Sequence, residues 1–269
     1  MSYAIQVQEL NKSYGNNTVL KGLHIQIKSG ETFALLGVNG AGKTTALECI
    51  EGLRSYDSGS ITIRGKLGIQ LQSSSLPAHI KPMEAVRLFA KWNHVPVDPS
   101  VTESLGIAEF EKKQYAQLST GQKRRLHLAL ALIGEPDIIV LDEPTAGLDT
   151  IGRQNLHDQI RKLQTQGKTI ILASHDMAEV ETLCDRIAIL NGKSIVFCGT
   201  AAELRNQMGK TYFIHIKTQE DTKTYETDNI TDTLLSLLNS LKQTDTDVLD
   251  IKVEHSSLEQ NFIEIARRL

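Results

Sequence analysis

Residues Gly37-Val38-Asn39-Gly40-Ala41-Gly42-Lys43-Thr44-Thr45 follow the spacing G-x-x-x-x-G-K-[ST], with a buried strand expected before them and a helix after. Glycines let backbone wrap closely around phosphate oxygens, and a helix N-terminus offers unpaired N–H groups and the positive end of a dipole. Lys43 would reach the terminal phosphates and Thr44 would hold Mg²⁺, so the ligand implied is a nucleoside triphosphate. An ordinary glycine-rich turn needs neither the lysine nor the hydroxyl. A second element, Ile138-Ile139-Val140-Leu141-Asp142-Glu143, ends four apolar residues in two adjacent carboxylates. Alone this reads as a solvated pair capping a strand. Beside a phosphate loop, Asp142 organises the Mg²⁺ shell and Glu143 orients or deprotonates the attacking water. A third, Leu118-Ser119-Thr120-Gly121-Gln122, sets Ser119 three residues before Gln122, a capping-box pattern that predicts another helix N-terminus and another natural anion site.

These residues need a scaffold of two textures. Ile5 and Val7, then Leu23, Ile25 and Ile27, then Ile61 and Ile63 alternate with period two, as antiparallel strands with one wet face do. Phe33 to Leu36, Ile138 to Leu141 and Thr169 to Ala173 are short, nearly all apolar runs, each leading into a polar or glycine-rich turn and a helical segment; these fit parallel strands buried on both faces. Ala46, Leu47, Cys49 and Ile50 before Gly52, and Leu156, Ile160 and Leu163 before Gly167, mark two of the intervening helices. Between Pro77 and Leu118 the stripe Met83, Val86, Phe89, Ala90 predicts a mostly helical insert, and an Asn191-Gly192 turn predicts a closing hairpin. From about Lys210 the texture changes: a strand at Phe213 to Lys217, a helix face of Leu234, Leu235, Leu238 and Leu241, and a strand at Val248 to Val253 predict a small α+β domain.

Composition narrows the classes. The 269 residues are 40% hydrophobic and 23% charged, ordinary for a globular chain, and the net charge of −3 argues against a nucleic-acid binder that works by bulk electrostatics. The longest uninterrupted apolar stretch, Leu128 to Ile133, falls far short of the ~20 residues that span a bilayer. The opening MSYAIQVQEL lacks the basic start and apolar run of a secretory signal, which predicts the cytoplasm. Cys49, Cys184 and Cys198 read as free core thiols.

The three motifs together resemble those of the ATP-binding cassette (ABC) family, whose signature is usually LSGGQ and here reads LSTGQ; the resemblance covers Tyr3 to about Gly199. It implies an α/β fold: a P-loop NTPase ABC ATPase core with an antiparallel β subdomain and a helical subdomain at about 77–135, filling residues 1–209, plus a small C-terminal α+β domain at 210–269. It implies ATP and Mg²⁺ as ligands. The family's two nucleotide domains meet head to tail, so Ser119, Gly121 and Gln122 would cover ATP held by a partner's loop, with Thr120 adding bulk where glycine is commonest. Tyr14 resembles the aromatic that stacks on adenine. Gln72 resembles the glutamine that approaches Mg²⁺ and links to the membrane subunit, with Gln70 a neighbouring alternative. Asp149, in AGLD, resembles the residue that communicates across the dimer, and His175 the histidine that contacts the γ-phosphate.

The resemblance further implies a second nucleotide-binding subunit, as a homodimer with a heterodimer also open, and a separate integral membrane permease near Gln72 and the insert, where Met83, Val86, Phe89 and Trp92 are candidate contacts, although a core-facing stripe suits most of them. The chain would sit on the inner face of the cell membrane through that permease and make no direct nucleic-acid contact. Ser257-Leu258-Glu259-Gln260-Asn261-Phe262-Ile263 resembles the ending of bacterial drug, antibiotic or peptide exporter subunits. The rival, a soluble ABC ATPase acting on DNA or ribosomes, falls behind because the insert is compact and a single nucleotide domain is present.

Overall fold

The computed structural model describes residues 2–70, 76–174, 176–207, 212–219, 221–244 and 246–255. The chain divides into two compact units, Met1–Cys198 and Gly199–Leu269. In the first, β1 (Tyr3–Tyr14) and β2 (Asn17–Lys28) pair antiparallel, β3 (Thr32–Leu36) leads into α1 (Lys43–Ile50), and β4 (Ser58–Ile63) returns to the other edge of β1. The alternation in the sequence becomes register: Ile5 opposes Ile27 and Ile63, while Val7 opposes Ile25 and Ile61. One face of this sheet is therefore apolar, and it shares a core with Leu47 and Ile50 of α1.

The second sheet takes β3 at its interior. Its strands β5 (Leu67–Gln70), β6 (Ile138–Asp142), β7 (Thr169–Ser174), β8 (Arg186–Asn191) and β9 (Ser194–Gly199) run in the order β5-β6-β7-β3-β8-β9. From β5 to β8 every pairing is parallel, and β3, β6 and β7 are buried along their whole length. Parallel strands need crossovers, and helices supply them. The connection from β5 to β6 holds α2 (Pro82–Trp92), α3 (Pro99–Ser104) and α4 (Thr120–Leu132); α5 (Thr150–Thr165) and α6 (Met177–Leu183) follow β6 and β7. Gly68 marks close packing there: a Cβ on it would stand 2.1 Å from the Ala131 carbonyl of α4.

Two details depart from expectation. Cys198 is exposed, because alternation along β9 turns Phe197 inward; Cys49 alone of the three thiols is fully buried. The β8–β9 turn is centred one residue later than expected, on Gly192 (φ 53) and Lys193 (φ 75).

The second unit contains α7 (Ala201–Gln207), β10 (Tyr212–Thr218), β11 (Thr222–Thr227), α8 (Ile230–Gln243) and β12 (Val248–His255), with strand order β11-β10-β12. Ile214 and Ile216 of β10 form its buried centre, whereas Leu235 of α8 is 58% exposed and falls outside the leucine face. β11 was not anticipated, since TKTYET carries a single large apolar residue. The Ser257 to Ile263 segment lies outside the described residues.

Candidate functional site

Parallel strands deliver their carboxyl ends to one edge, the usual place for ligands in such sheets. Leu36 is level with Ser174 and Asp142 with Ala173, so the three strands end side by side, with Gly37 and Glu143 next in the chain after β3 and β6. Gly37 admits no side chain: a Cβ would lie 2.7 Å from the Leu190 carbonyl. Gly42, the residue before α1, has φ 106, and a Cβ there would press on Val19 and Leu20 of β2 at 3.1 and 3.0 Å. Between them Val38, Asn39 and Gly40 project into solvent, and Ala41 N–H donates to the Val38 carbonyl at 3.0 Å. The first intrahelical bond runs from Ala46 N–H to the Gly42 carbonyl, which leaves the N–H groups of Lys43, Thr44 and Thr45 ahead of the helix.

Lys43 is buried, and its Nζ donates to the Gly37 carbonyl at 2.7 Å. Burial lowers the ammonium's pKa, opposed by the charges of Glu143 and Asp142. Thr44 Oγ1 donates to Asp142 Oδ2 at 3.1 Å. The Asp142 carboxyl is pushed up by burial and held back by that hydrogen bond, while its Oδ1 is buried with no hydrogen-bond partner. An orphaned carboxylate oxygen beside a threonine hydroxyl is a donor set suited to a hard cation, so Thr44 and Asp142 fit Mg²⁺. Glu143, half-buried, has φ 46, a strained conformation for glutamate, and its N–H donates to the Ala173 carbonyl at 2.9 Å.

Of the two glutamines, Gln70 is 1% exposed at the tip of β5, level with Leu141, and neither amide atom has a hydrogen-bond partner. Gln72 and His175 lie outside the described residues. Glu179 of α6 escaped sequence reasoning. It is 3% exposed and accepts from Ser174 Oγ at 2.7 Å and Thr145 Oγ1 at 3.2 Å, linking the residue before His175 to the turn after Glu143. One glutamate in a helix's first turn reads as a dipole complement, so no pattern marked it.

Ser119 is the N-cap of α4: its hydroxyl accepts from Gln122 N–H at 3.3 Å, and Gln122 Oε1 accepts from Ser119 N–H at 3.1 Å. A Cβ on Gly121 would meet only Leu148 Cδ2, at 3.7 Å, so the turn is open to an approaching group. Asp149 caps α5 through Gly152 N–H at 2.7 Å. Ser119, Gly121, Gln122 and Asp149 line one open cleft of about 860 Å³ in which no residue of the phosphate loop takes part. The structure thus brings Lys43, Thr44, Asp142 and Glu143 together and sets the signature turn apart from them. Tyr14 stands at the β1–β2 turn with Lys12 Nζ and the Arg54 guanidinium 5.2 and 5.3 Å from its ring centre.

Known proteins share this arrangement. The family model described as ABC transporter matches residues 20–146, which include the phosphate loop, the signature turn and the Asp142-Glu143 pair. The linearmycin resistance ATP-binding protein LnrL of Bacillus subtilis is 34% identical over 230 residues, covering 79% of this chain and 74% of that protein. The chain belongs to the ABC transporter family. It is an ABC ATPase subunit, the ATP-hydrolysing part of such a transporter. The Nod factor export ATP-binding protein I of Rhizobium etli is 35% identical over 223 residues, 76% of this ABC ATPase and 71% of the relative. Among solved structures, the ATP-binding subunit of an ABC transporter superposes with a TM-score of 0.69 at 25% identity, over 76% of this chain and 92% of that one. Among the described residues no helix is long and apolar enough to cross a membrane.

Proposed function

We propose that this ABC ATPase powers export of a drug, antibiotic, peptide or lipid-like compound through a separate permease. Two relatives support the direction, since their names speak of linearmycin resistance and Nod factor export. The observation that carries the mechanism is the separation of the phosphate loop from the cleft of Ser119 and Asp149 within one chain. Each half lacks what the other offers, so two copies meeting head to tail would make two complete ATP sites. In this reading Gly37 to Thr45 holds the phosphates and Tyr14 stacks on the adenine. Thr44, Asp142 and Gln72 would hold Mg²⁺, whose charge would offset that of the phosphates. Glu143 accepts a proton from the attacking water and His175 contacts the γ-phosphate. Ser119, Gly121 and Gln122 cover the partner's ATP, and Asp149 faces the partner across the junction. Binding closes the dimer because the closed state contacts ATP from both sides; hydrolysis removes the γ-phosphate that held the halves together.

The ATPase domain would cover residues 1–209 and the accessory domain 210–269, with the assembly on the inner face of the cell membrane through the permease. Glu143→Gln keeps the side chain's shape and removes its basicity. It should retain ATP affinity, lose turnover by roughly 10²–10⁴-fold, and accumulate as an ATP-bound dimer in size-exclusion chromatography. Wild-type turnover in that variant would remove Glu143 from the catalytic role.

A further inference from the structure

The apolar face of the second unit extends beyond its buried centre. β10 lies between β11 and β12, α8 packs against it, and its Ile214 and Ile216 are buried. Register places Val253 of β12 opposite Ile214, and Ile251 opposite Ile216. Directly opposed residues share a face of the sheet, so the apolar face runs on from β10 to β12. There it is left open: Leu249, Ile251 and Val253 are 57%, 38% and 40% exposed, and Leu235 of α8 is exposed as well.

The two edges of this sheet differ in chemistry. β11 exposes Lys223, Thr224 and Glu226, a polar edge of the kind that discourages pairing. β12, VLDIKVEH, holds neither proline nor glycine, and no strand lies on its outer side among the described residues. A register shift between Asp250 and Val248 sets Leu249 at the end of its regular stretch. Asp250, Lys252 and Glu254 alternate with the apolar residues and so belong to the opposite face. When two identical strands pair antiparallel about a two-fold axis, one residue meets its own copy and its neighbours exchange partners. Centring on Asp250 sets that carboxylate on itself; centring on Lys252 sets lysine on lysine and Asp250 on Glu254. Centring on Val253 pairs Lys252 with a Glu254 already engaged by Lys252 and His215 of its own chain, and leaves Leu249 beyond the paired stretch. Centring on Ile251 sets Asp250 against Lys252 twice, Leu249 against Val253 twice, and Ile251 against itself. Asp250 makes no ion pair among the described residues, so this register supplies one.

We infer that β12 is a contact for a second copy of this chain that forms without nucleotide. Two β12 strands run antiparallel about Ile251 and join two three-stranded sheets into one of six. The exposed apolar residues of each strand are then covered by those of its copy, and each Asp250 meets a lysine. The contact goes beyond the ATP sites proposed above: it uses no residue of the phosphate loop or of the signature cleft, and it needs no ATP.

The test uses the full chain without nucleotide, its mass followed by sedimentation equilibrium at micromolar concentrations. Wild type should populate a dimer. Asp250→Lys sets lysine opposite Lys252, and Lys252→Asp sets aspartate opposite Asp250, each twice per dimer. Either should raise the dissociation constant about tenfold. The double variant Asp250→Lys/Lys252→Asp reverses both charges and should return the constant to the wild-type value, which also shows that the single variants fail by repulsion and not by misfolding. Under mild oxidation Ile251→Cys should add a cross-link between subunits that wild type lacks, because this residue meets its own copy at the axis. A wild-type chain that stays monomeric would overturn the pairing and leave residues 256–269 of the same chain as the cover for this face. A dimer that neither single variant weakens, or that the double variant fails to restore, would overturn it too. The ATP sites are read separately. Asp250→Lys combined with Glu143→Gln should be monomeric without nucleotide and dimeric with ATP, so a missing ATP dimer counts against the proposed function and leaves the β12 result standing.

Discussion

At Lys43 a buried ammonium is tolerated because the Gly37 carbonyl accepts from it and the carboxylates of Asp142 and Glu143 lie close enough to oppose its loss of charge. In the proposed reading that carbonyl belongs to the phosphate loop, so the lysine would both shape the cradle and face its ligand. Lys43→Ala should therefore cost ATP affinity itself, by about 1.5–3 kcal/mol for a charged hydrogen bond. In equilibrium titration that is roughly a tenfold to hundredfold rise in Kd. An unchanged Kd would remove Lys43 from the phosphate contact. Ser119 shows a similar double duty. Its oxygen accepts from the Gln122 N–H, and its hydrogen remains for an anion.

Among the elements, α1 and α4 each bury a titratable group that the reaction does not use, and the two act in opposite senses. His127 has its pKa lowered to about 4 by burial and by Arg124 and Lys123. As pH falls below its ordinary value of 6.5 the unfolded chain takes the proton first, so stability is lost on the way down to about 4. Glu51, at the end of α1, has its pKa raised to about 7 by burial and by the charges of Asp142 and Glu48. Here the unfolded chain ionises first, so stability is lost as pH rises from 4.5 to about 7. Over the shared range the two effects oppose. Chemical denaturation should show this by difference: relative to wild type, Glu51→Gln gains stability as pH rises toward 7, and His127→Gln gains it as pH falls toward 4. A His127→Gln profile parallel to wild type would show that the imidazole is not held neutral in the fold.

At the scale of the molecule, the helical region from 76 to 135 presents one surface with no cover among the described residues. Val86 of α2 is buried and packs inward, whereas Leu88 is 51% and Trp92 76% exposed one turn apart. Of the four residues Met83, Val86, Phe89 and Trp92, Val86 thus takes the core-facing role the stripe suggested for most of them, and Trp92 is the one left open to a partner. Large exposed aromatics are common anchors at protein interfaces. Co-expression with a candidate permease should allow both to be purified from membranes together, and Trp92→Ser should reduce the amount recovered without changing ATP affinity. Recovery of the wild-type chain on ribosomes or DNA instead would overturn the transporter partnership.

Much of this protein was legible before folding was considered. Period-two alternation at Ile5, Val7, Ile25 and Ile27, and the unbroken apolar runs at Phe33, Ile138 and Thr169, report burial on one face or both, a local consequence of strand geometry. The loop Gly37 to Thr45, the pair Asp142-Glu143 and the cap Ser119-Gln122 are contiguous, so the residue types and spacings that make their chemistry were readable in order. β11 was not, because an exposed edge strand needs few apolar residues. Glu179 was not, because its partner Thr145 lies 34 residues away along the chain and nothing local marks the contact. The choice between an inward and an outward residue on α2 likewise waited on which face met α4. What the sequence by itself determined was the set of local motifs and the chemistry each could do. Only the tertiary structure decided that the phosphate loop and the signature turn open in different places, and that Glu179 joins Thr145 to Ser174, because burial and hydrogen-bond partnership between distant segments are properties of packing and leave no periodic trace in the chain.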